Sequence, residues 1–389
     1  MIRENAKLPP EKAASLLTLA AYLPFLILRI MIAGGGEPGR LSLIGSVFSN
    51  RAKLPSFLPS MTGTGYDGQF FLRLALNPFN LAKSAYGITF DTPFRPQRIG
   101  YPFFAWLASF GDAHLVPYAL IAVNLVAVCT IAWSAARLAR GSGHPILAGF
   151  AAATFFGYAM STGRDLSEPT AAALALIAMN LFEARKYFFA GLVFAAAALT
   201  LETELIVPIA IGVAWLYQQA KQTGTPILRR LDSRAYSWLL PGVATILWQL
   251  TLTHVEHTFP GASDLAGNLG VPVLTLFVGI VTHLHQLSLT NLIWFGQFAV
   301  FAVMVVLAFS SLRSLSVPLY LKIAFVLMLL LAISTSGEVW NHSSYFRAFD
   351  LLWLTALLTW IRSKPNRPAL AAVGPIAWIV SAIPLIVFL

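Results

Sequence analysis

The segment from residue 63 to residue 102 contains the side chains best suited to chemistry. It places Asp67 between glycines at positions 65 and 68, with Arg95 and Arg98 further along the chain. The glycines leave the backbone beside the carboxylate open to a bulky substrate, and arginine is a bidentate donor suited to phosphate. These residue types would suit group transfer from a phosphorylated lipid. The alternative is that Asp67 caps a helix and that the arginines meet lipid headgroups.

A base with an ordinary aspartate pKa is weak, so we expect partial burial to tune the pKa of Asp67. Further along the chain, Glu202 and Glu204 interrupt an apolar run and show no capping pattern. Either carboxylate could accept a hydrogen bond from an acceptor hydroxyl or hold an arginine in place. The alternative for both is an ion pair with Arg164 or Arg347.

Asp165 and Glu168 stand three residues apart at the start of another apolar stretch. This spacing predicts that both lie in the first turn of a helix, where the helix dipole favours acids. We therefore expect Asp165 to act as a helix cap. Glu168 stays a candidate for binding substrate at the same end of the helix.

Histidines suggest a rival type of site, because His254 and His257 share a helical face by their spacing of three. His283 and His285 do not share a face on a helix. No complete metal-binding signature accompanies them. We therefore interpret the four as interfacial histidines, and we predict no metal and no cofactor.

The composition indicates which solvent surrounds these residues. Of 389 residues, 57% are hydrophobic and only 11% are charged, and the mean hydropathy is +0.72. A soluble domain carries about 25% charged residues, so lipid must be the main solvent. The net charge is +10, but the basic residues do not form a stripe, and we expect no nucleic-acid partner. Cys129 alone permits no disulfide within the chain.

Apolar periodicity predicts an all-α, polytopic transmembrane bundle of about eleven spans. Two further apolar stretches, 99–110 and 271–287, are shorter or more polar, and we predict that both lie along the membrane interface. The first span follows Arg3, Lys7 and Lys12 and is read as uncleaved. Residues 34–113 form a long outer loop with interfacial helices, and residues 1–389 form a single membrane domain. The predicted spans are 13–33, 114–138, 145–162, 167–184, 187–201, 204–219, 236–256, 291–312, 317–335, 346–361 and 369–388.

The lysines and arginines give the orientation. With the N-terminus in the cytoplasm, most of them fall at cytoplasmic span ends, as the positive-inside rule requires. The short outer loops hold only Arg164 and Arg347. Acidic residues instead collect on the outer side, where charges at span ends are costly and usually functional or paired. We find no paired broken spans in the sequence, which disfavours a transporter.

The motif Tyr66–Asp67–Gly68–Gln69–Phe70, followed by residues 91–102, resembles bacterial integral-membrane glycosyltransferases of the GT-C type. The wider arrangement is similar to protein O-mannosyltransferases and lipid A aminoarabinose transferases. The resemblance implies transfer of a sugar from a polyprenyl-phosphate donor, with Asp67 as the general base. Many members carry two acids in this loop. Here positions 65, 66 and 69 are Gly, Tyr and Gln, which favours a base that works without metal.

The first hypothesis is therefore an inverting, GT-C-like glycosyltransferase of the bacterial inner membrane. Its partners would be a polyprenyl-phosphate-linked sugar, a glycan, lipid or protein acceptor on the outer face, and membrane lipids. Alternatives are a transporter or flippase of lipid-linked glycans, or a non-catalytic scaffold subunit of an envelope complex. Asp67 is the predicted catalytic residue. Arg95, Arg98 and Arg347 are the predicted donor-phosphate ligands, and the predicted acceptor-binding residues are Tyr66, Gln69, Glu168, Glu202 and Glu204.

Overall fold

The computed structural model describes residues 8–221, 231–257, 259–261, 267–285 and 288–388, so Arg3 and Lys7 lie outside the described residues. The described chain is mainly helical and contains almost no strand, which confirms an all-α fold. A short antiparallel hairpin pairs β1 (Ser84–Ala85) with β2 (Ile88–Thr89). The helices, numbered α1 to α16 in chain order, are Pro10–Met31, Gly68–Leu76, Gly100–Ala108, Val116–Leu138, Pro145–Ala153, Phe156–Thr162, Glu168–Glu183, Tyr187–Thr200, Ile206–Ala220, Tyr236–Glu256, Leu274–Leu284, Leu289–Ser310, Leu319–Ile333, Gly337–Asn341, Asp350–Arg362 and Val373–Val387.

Helices lie at all of the stretches that the sequence predicts to span the membrane. Within the described residues, four helical segments are long and apolar enough to cross a membrane: Pro10–Met31, Val116–Leu138, Leu289–Ser310 and Pro368–Val387. The other helices at predicted spans are shorter or more polar than a perpendicular crossing of about 20 apolar residues requires. The positions of the helices are therefore confirmed, and the count of eleven crossings stays a prediction.

The stretch 145–162 is not one continuous helix, as the sequence predicts, but two helices bent by 50° at a short break. At the break the hydroxyl of Thr154 donates to the carbonyl of Phe150 at 2.6 Å. Just beyond it, a Cβ on Gly157 would lie 2.7 Å from Cα of Arg347. The bend thus brings α6 against a turn that is distant in sequence, and this tertiary contact leaves no signal in local hydropathy.

The long segment between α1 and α4 is ordered and has its own apolar core. Every residue of α2 is buried, and Phe70, Phe71 and Leu74 pack in one cluster with Tyr101 and Leu120. The helix α2 therefore lies in the interior of this loop, and the location of the loop's helices at the membrane interface stays a prediction. The helix α3 is followed by an aromatic residue at position 110 that is 92% exposed, which fits an interfacial location.

The packing of the bundle centres on α4, which lies against α1, α5 and α7. The next helix, α8, packs between α7 and α10, and α13 packs against α9 and α15. The bent helix α6 packs against α16 and against the turn Ser343–Phe349. These contacts bring the loop after α1, the start of α7 and the turn before α15 to the same end of the bundle.

Gly149 lies at a close helix crossing, and its replacement tests the packing. A Cβ at this position would lie 2.4 Å from the carbonyl oxygen of Ala132 and 2.8 Å from Cβ of Ala14. We predict that Gly149→Ala lowers the free energy of unfolding in detergent micelles by about 1–3 kcal/mol, because the helices must separate. Gly296→Ala in α12 is the control, since nothing lies within 4 Å of its Cβ position. Equal stabilities of the two variants would contradict this packing.

Candidate functional site

The carboxylate of Asp67 lies between two guanidinium groups. Its Oδ1 is 3.0 Å from Nη2 of Arg95, and its Oδ2 accepts a hydrogen bond of 2.8 Å from Nη2 of Arg347. Asp67 precedes α2, but its side chain makes no capping hydrogen bond. The capping alternative is therefore wrong. The side chain is 24% exposed, so one carboxylate binds two arginines and still reaches solvent.

Arg95 is held by a second carboxylate and by aromatic rings. Its Nε and Nη2 each donate to one carboxylate oxygen of Asp91 at 2.7 Å. The guanidinium carbon lies 4.5 Å from the centre of the Phe70 ring. The short turn Arg95–Gln97 is in turn fixed by α10, because the indole of Trp248 donates to the carbonyl of Pro96 at 3.2 Å. Arg95 therefore orients Asp67 from within the loop.

Arg347 connects this loop to the helix bundle. Its Nε donates to Oε1 of Glu168 at 2.8 Å, and its Nη1 donates to the hydroxyl of Tyr66 at 2.8 Å. The second oxygen of Glu168 accepts a hydrogen bond of 3.0 Å from Ser161. Only 7% of the Arg347 side chain and 6% of the Glu168 side chain are exposed. Four predicted site residues (Tyr66, Asp67, Glu168 and Arg347) thus form one hydrogen-bonded network.

Arg98 and Glu202 form a neighbouring ion pair. The Nε of Arg98 lies 3.0 Å from Oε2 of Glu202, and its Nη2 lies 2.5 Å from Oε1. The expected pairing of Glu202 with Arg164 or Arg347 is therefore wrong. Burial raises the pKa of the Glu202 carboxyl, but the guanidinium of Arg98 outweighs it and the net pKa is lowered. Glu202 is thus an ionised carboxylate that links the loop between α1 and α4 to the end of α8.

Two predicted acceptor-binding residues do not join the network. Glu204 is fully buried, and neither of its oxygens has a hydrogen-bond partner among the described residues. The alternative, an ion pair of Glu204 with Arg164 or Arg347, is therefore wrong. Gln69 is 1% exposed; its amide nitrogen donates to the carbonyl of Thr64, and its oxygen accepts from the amide of Gly45. We assign Gln69 to holding the loop closed and not to binding an acceptor.

Asp165 is not the helix cap that its spacing predicts. Its backbone is left-handed, with φ at 53°, and its Oδ2 accepts a hydrogen bond of 2.6 Å from Ser42. Burial raises the pKa of its carboxyl to about 7, although Ser42 and Arg29 lower it. Asp165 is therefore only partly ionised at neutral pH, unlike Asp67 and Glu202, whose pKa values are lowered by arginines.

Arg164 and Asp91 belong to this site although the sequence argument left them out of it. The guanidinium carbon of Arg164 lies 4.5 Å from the centre of the Tyr66 ring. One signal was available for Arg164, because it is a base in a short outer loop, where the positive-inside rule disfavours one. Asp91 lies in the run of residues 91–102 that resembles the GT-C motif, but nothing in the sequence indicated that its carboxylate would bind Arg95.

The histidines do not form a metal site in the described part of the chain, where no group of three or more His, Cys, Asp or Glu side chains could hold a metal ion. The ring of His283 stacks on that of Trp294 at 4.3 Å, and its Nδ1 lies 2.8 Å from the carbonyl of Gly279. These contacts hold the His283 ring within the helix packing.

The pKa of Asp67 moves in the direction opposite to the one that burial alone would give. Burial raises the pKa of this carboxyl, but Arg95, Arg347 and Arg98 together lower it below its usual value. The expectation that burial tunes Asp67 towards a stronger base is therefore wrong. Asp67 is held ionised, and its ability to accept a proton must come from its position.

The lowered pKa predicts how Asp67 affects stability with pH. A carboxyl with a pKa below its unfolded value of about 3.9 stabilises the fold above that pH and loses the effect as the pH falls through the folded pKa. We predict that the wild type exceeds Asp67→Asn in unfolding temperature at neutral pH. The difference should shrink progressively below about pH 4.

Asp165→Asn is the control, because the linkage has the opposite sign. A pKa raised to about 7 gives stability that is present at low pH and is lost as the pH rises through 7. The unfolding temperature of Asp165→Asn should therefore rise relative to that of the wild type as the pH increases from about 4 to 8. Parallel pH profiles for the two variants would contradict the assigned pKa shifts.

Comparison of the chain with protein-family models, with curated proteins and with solved structures finds no significant match. The resemblance of residues 63–102 to GT-C glycosyltransferases therefore stays a prediction. What this site can do must be argued from its own geometry.

Proposed function

We propose that the protein is an inverting glycosyltransferase of the bacterial inner membrane. It moves a sugar from a polyprenyl-phosphate donor to a glycan, lipid or protein acceptor at the outer face. The observation that carries the proposal is the carboxylate of Asp67, which reaches solvent while two arginines hold it in place. An ionised, oriented carboxylate beside several guanidinium groups is the arrangement that displacement of a phosphate by a hydroxyl requires.

In the proposed reaction the acceptor oxygen attacks the anomeric carbon of the donor sugar. The bond between that carbon and the phosphate oxygen breaks, and the phosphate leaves with the bonding electrons. The acceptor proton passes to the carboxylate of Asp67. A base with a low pKa is adequate here, because the hydroxyl becomes acidic as its bond to an oxocarbenium-like carbon forms.

The arginines around Asp67 have two tasks in this proposal. Arg95 and Arg347 fix the direction of the carboxylate, since each also holds a second acid, Asp91 or Glu168. Together with Arg98, they place positive charge where negative charge develops on the leaving phosphate. A phosphate that binds Arg98 directly would compete with Glu202 for the same guanidinium. Tyr66 and Glu202 are then the groups proposed to bind the acceptor.

We further propose that the N-terminus is cytoplasmic, that about eleven segments cross the membrane, and that the Asp67 cluster faces outward. The distribution of lysine and arginine over the loops supports this orientation. A site on the outer side suits a polyprenyl-linked donor, because the lipid keeps its sugar at the membrane surface.

One observation favours a flippase as the second candidate. The helices α5 and α6 form a broken span, and transporters commonly bind substrate where helices are broken. Transporters place such breaks in corresponding positions of related halves, and within the described residues α5–α6 is the one bent pair. A transferase therefore accounts for the site better.

We predict that Asp67→Asn lowers sugar transfer by roughly 10²–10⁴-fold, the usual contribution of a general base. The assay would use lipid-linked sugars and acceptors extracted from cells that make the protein, and it would measure donor binding separately. Binding should persist, because Arg95 and Arg347 retain Asp91 and Glu168. Asp112→Asn, at an exposed position, is the control. Unchanged transfer in Asp67→Asn would remove this residue from the mechanism, whereas donor translocation without transfer would indicate a flippase.

A further inference from the structure

Arg164 differs from the other arginines near Asp67, because it has no carboxylate partner. Within the described chain, Arg95, Arg98 and Arg347 each form an ion pair, and Arg164 forms none. Its Nε is buried and has no hydrogen-bond partner among the described residues. The guanidinium carbon instead lies 4.5 Å from the centre of the Tyr66 ring. A buried cation of this kind is costly unless an anion binds to it.

Arg164 lines a cavity of about 210 Å³ between α6, α12 and α16, which we call the Arg164 cavity. The helix α12 and the segment Pro368–Val387, which contains α16, are both long and apolar enough to cross a membrane. The amide of Gln297 and the hydroxyl of Ser381 bond to each other at 3.0 Å on the wall of the cavity. The other walls are mainly apolar and include Phe156, Met160, Ile293, Pro384, Leu385 and Phe388.

A second buried guanidinium near the cavity, that of Arg29, adds positive charge that would favour binding of an anion. The Nη1 of Arg29 donates to the carbonyls of Leu385 and Phe388, which both line the cavity, and its Nε donates to the carbonyl of Gly163. Its Nη2 has no partner among the described residues. The nearby acid, Asp165, has a pKa raised to about 7 and so balances only part of this charge. One buried guanidinium, that of Arg164, thus lines the cavity, and a second, that of Arg29, bonds to the backbone of two lining residues.

We propose that the Arg164 cavity binds a phosphorylated isoprenoid lipid, with the phosphate on Arg164 and the first carbons of the chain between α12 and α16. The inference rests on the proposed function and names the place where the donor lipid binds. A free phosphate would leave the apolar walls unused, and a neutral lipid would leave Arg164 unpaired. The cavity is smaller than the roughly 300–1,000 Å³ of a pocket for a whole drug-sized ligand, so the rest of a long chain continues into the bilayer.

Tyr66 connects this cavity to the Asp67 cluster. Its ring faces Arg164, and its hydroxyl accepts a hydrogen bond from Arg347, which also binds Asp67. A phosphate on Arg164 would therefore lie beside the carboxylate that receives the acceptor proton. The arginines already paired with acids need not give up their partners when the lipid binds.

The test is the binding of farnesyl phosphate, farnesol and inorganic phosphate to the full chain in phosphatidylcholine nanodiscs, measured by calorimetry. Farnesyl phosphate should bind at least 10-fold more tightly than either fragment. Arg164→Gln should weaken farnesyl phosphate binding by about 10-fold or more, as the loss of a charge-assisted hydrogen bond implies. Ile293→Trp, which narrows the apolar part of the cavity and keeps Arg164, should weaken farnesyl phosphate but leave inorganic phosphate unchanged.

The matched control is Arg40→Gln, because Arg40 is an outer-loop arginine whose side chain is 45% exposed and pairs with Glu37. It should bind farnesyl phosphate as the wild type does. If Arg164→Gln binds farnesyl phosphate as tightly as the wild type does, the proposal is overturned. The same holds if Ile293→Trp binds farnesyl phosphate as tightly as the wild type does. If inorganic phosphate binds as tightly as farnesyl phosphate, the cavity takes no chain. No acceptor is present, so the outcome is independent of whether Asp67 supports transfer.

Discussion

The guanidinium of Arg347 is the contact on which the arrangement of this site depends. It bonds to Asp67 and Tyr66 from the loop between α1 and α4 and to Glu168 at the start of α7. Removing one partner of such a buried pair leaves an uncompensated charge, which typically costs 3–5 kcal/mol. Because three separate parts of the chain meet at one side chain, the position of the carboxylate is fixed by the whole bundle and not by the loop alone.

The sequence predicts the helices well and the broken span poorly, for a physical reason. Helical periodicity is a local property, and so the ends of α4 and α10 fall within a few residues of their predicted positions. The break at Thr154 depends on the approach of α6 to the turn containing Arg347, far away in sequence. No hydropathy pattern within residues 145–162 predicts that contact.

The same distinction applies to the site. Residue type and membrane side indicated Asp67, Arg95 and Arg347, which the fold brings together. Which acid pairs with which base could not be read from the sequence: Glu202 pairs with Arg98, which the considered alternatives did not include, and Glu204 has no partner among the described residues. Residue type does not show whether an arginine forms an ion pair, and only the structure distinguishes Arg164 from the paired arginines.

The central claim is that Asp67 and Arg347 act as one unit, and a double-mutant cycle tests it most directly. The free energies of unfolding of the wild type, Asp67→Asn, Arg347→Gln and the double variant would be measured in micelles. Coupled residues show non-additive effects of about 0.5–3 kcal/mol, and we predict a value in this range, with the double variant less destabilised than the sum of the single ones. Additive effects would mean that the two side chains do not interact, and the account of the site would then be contradicted.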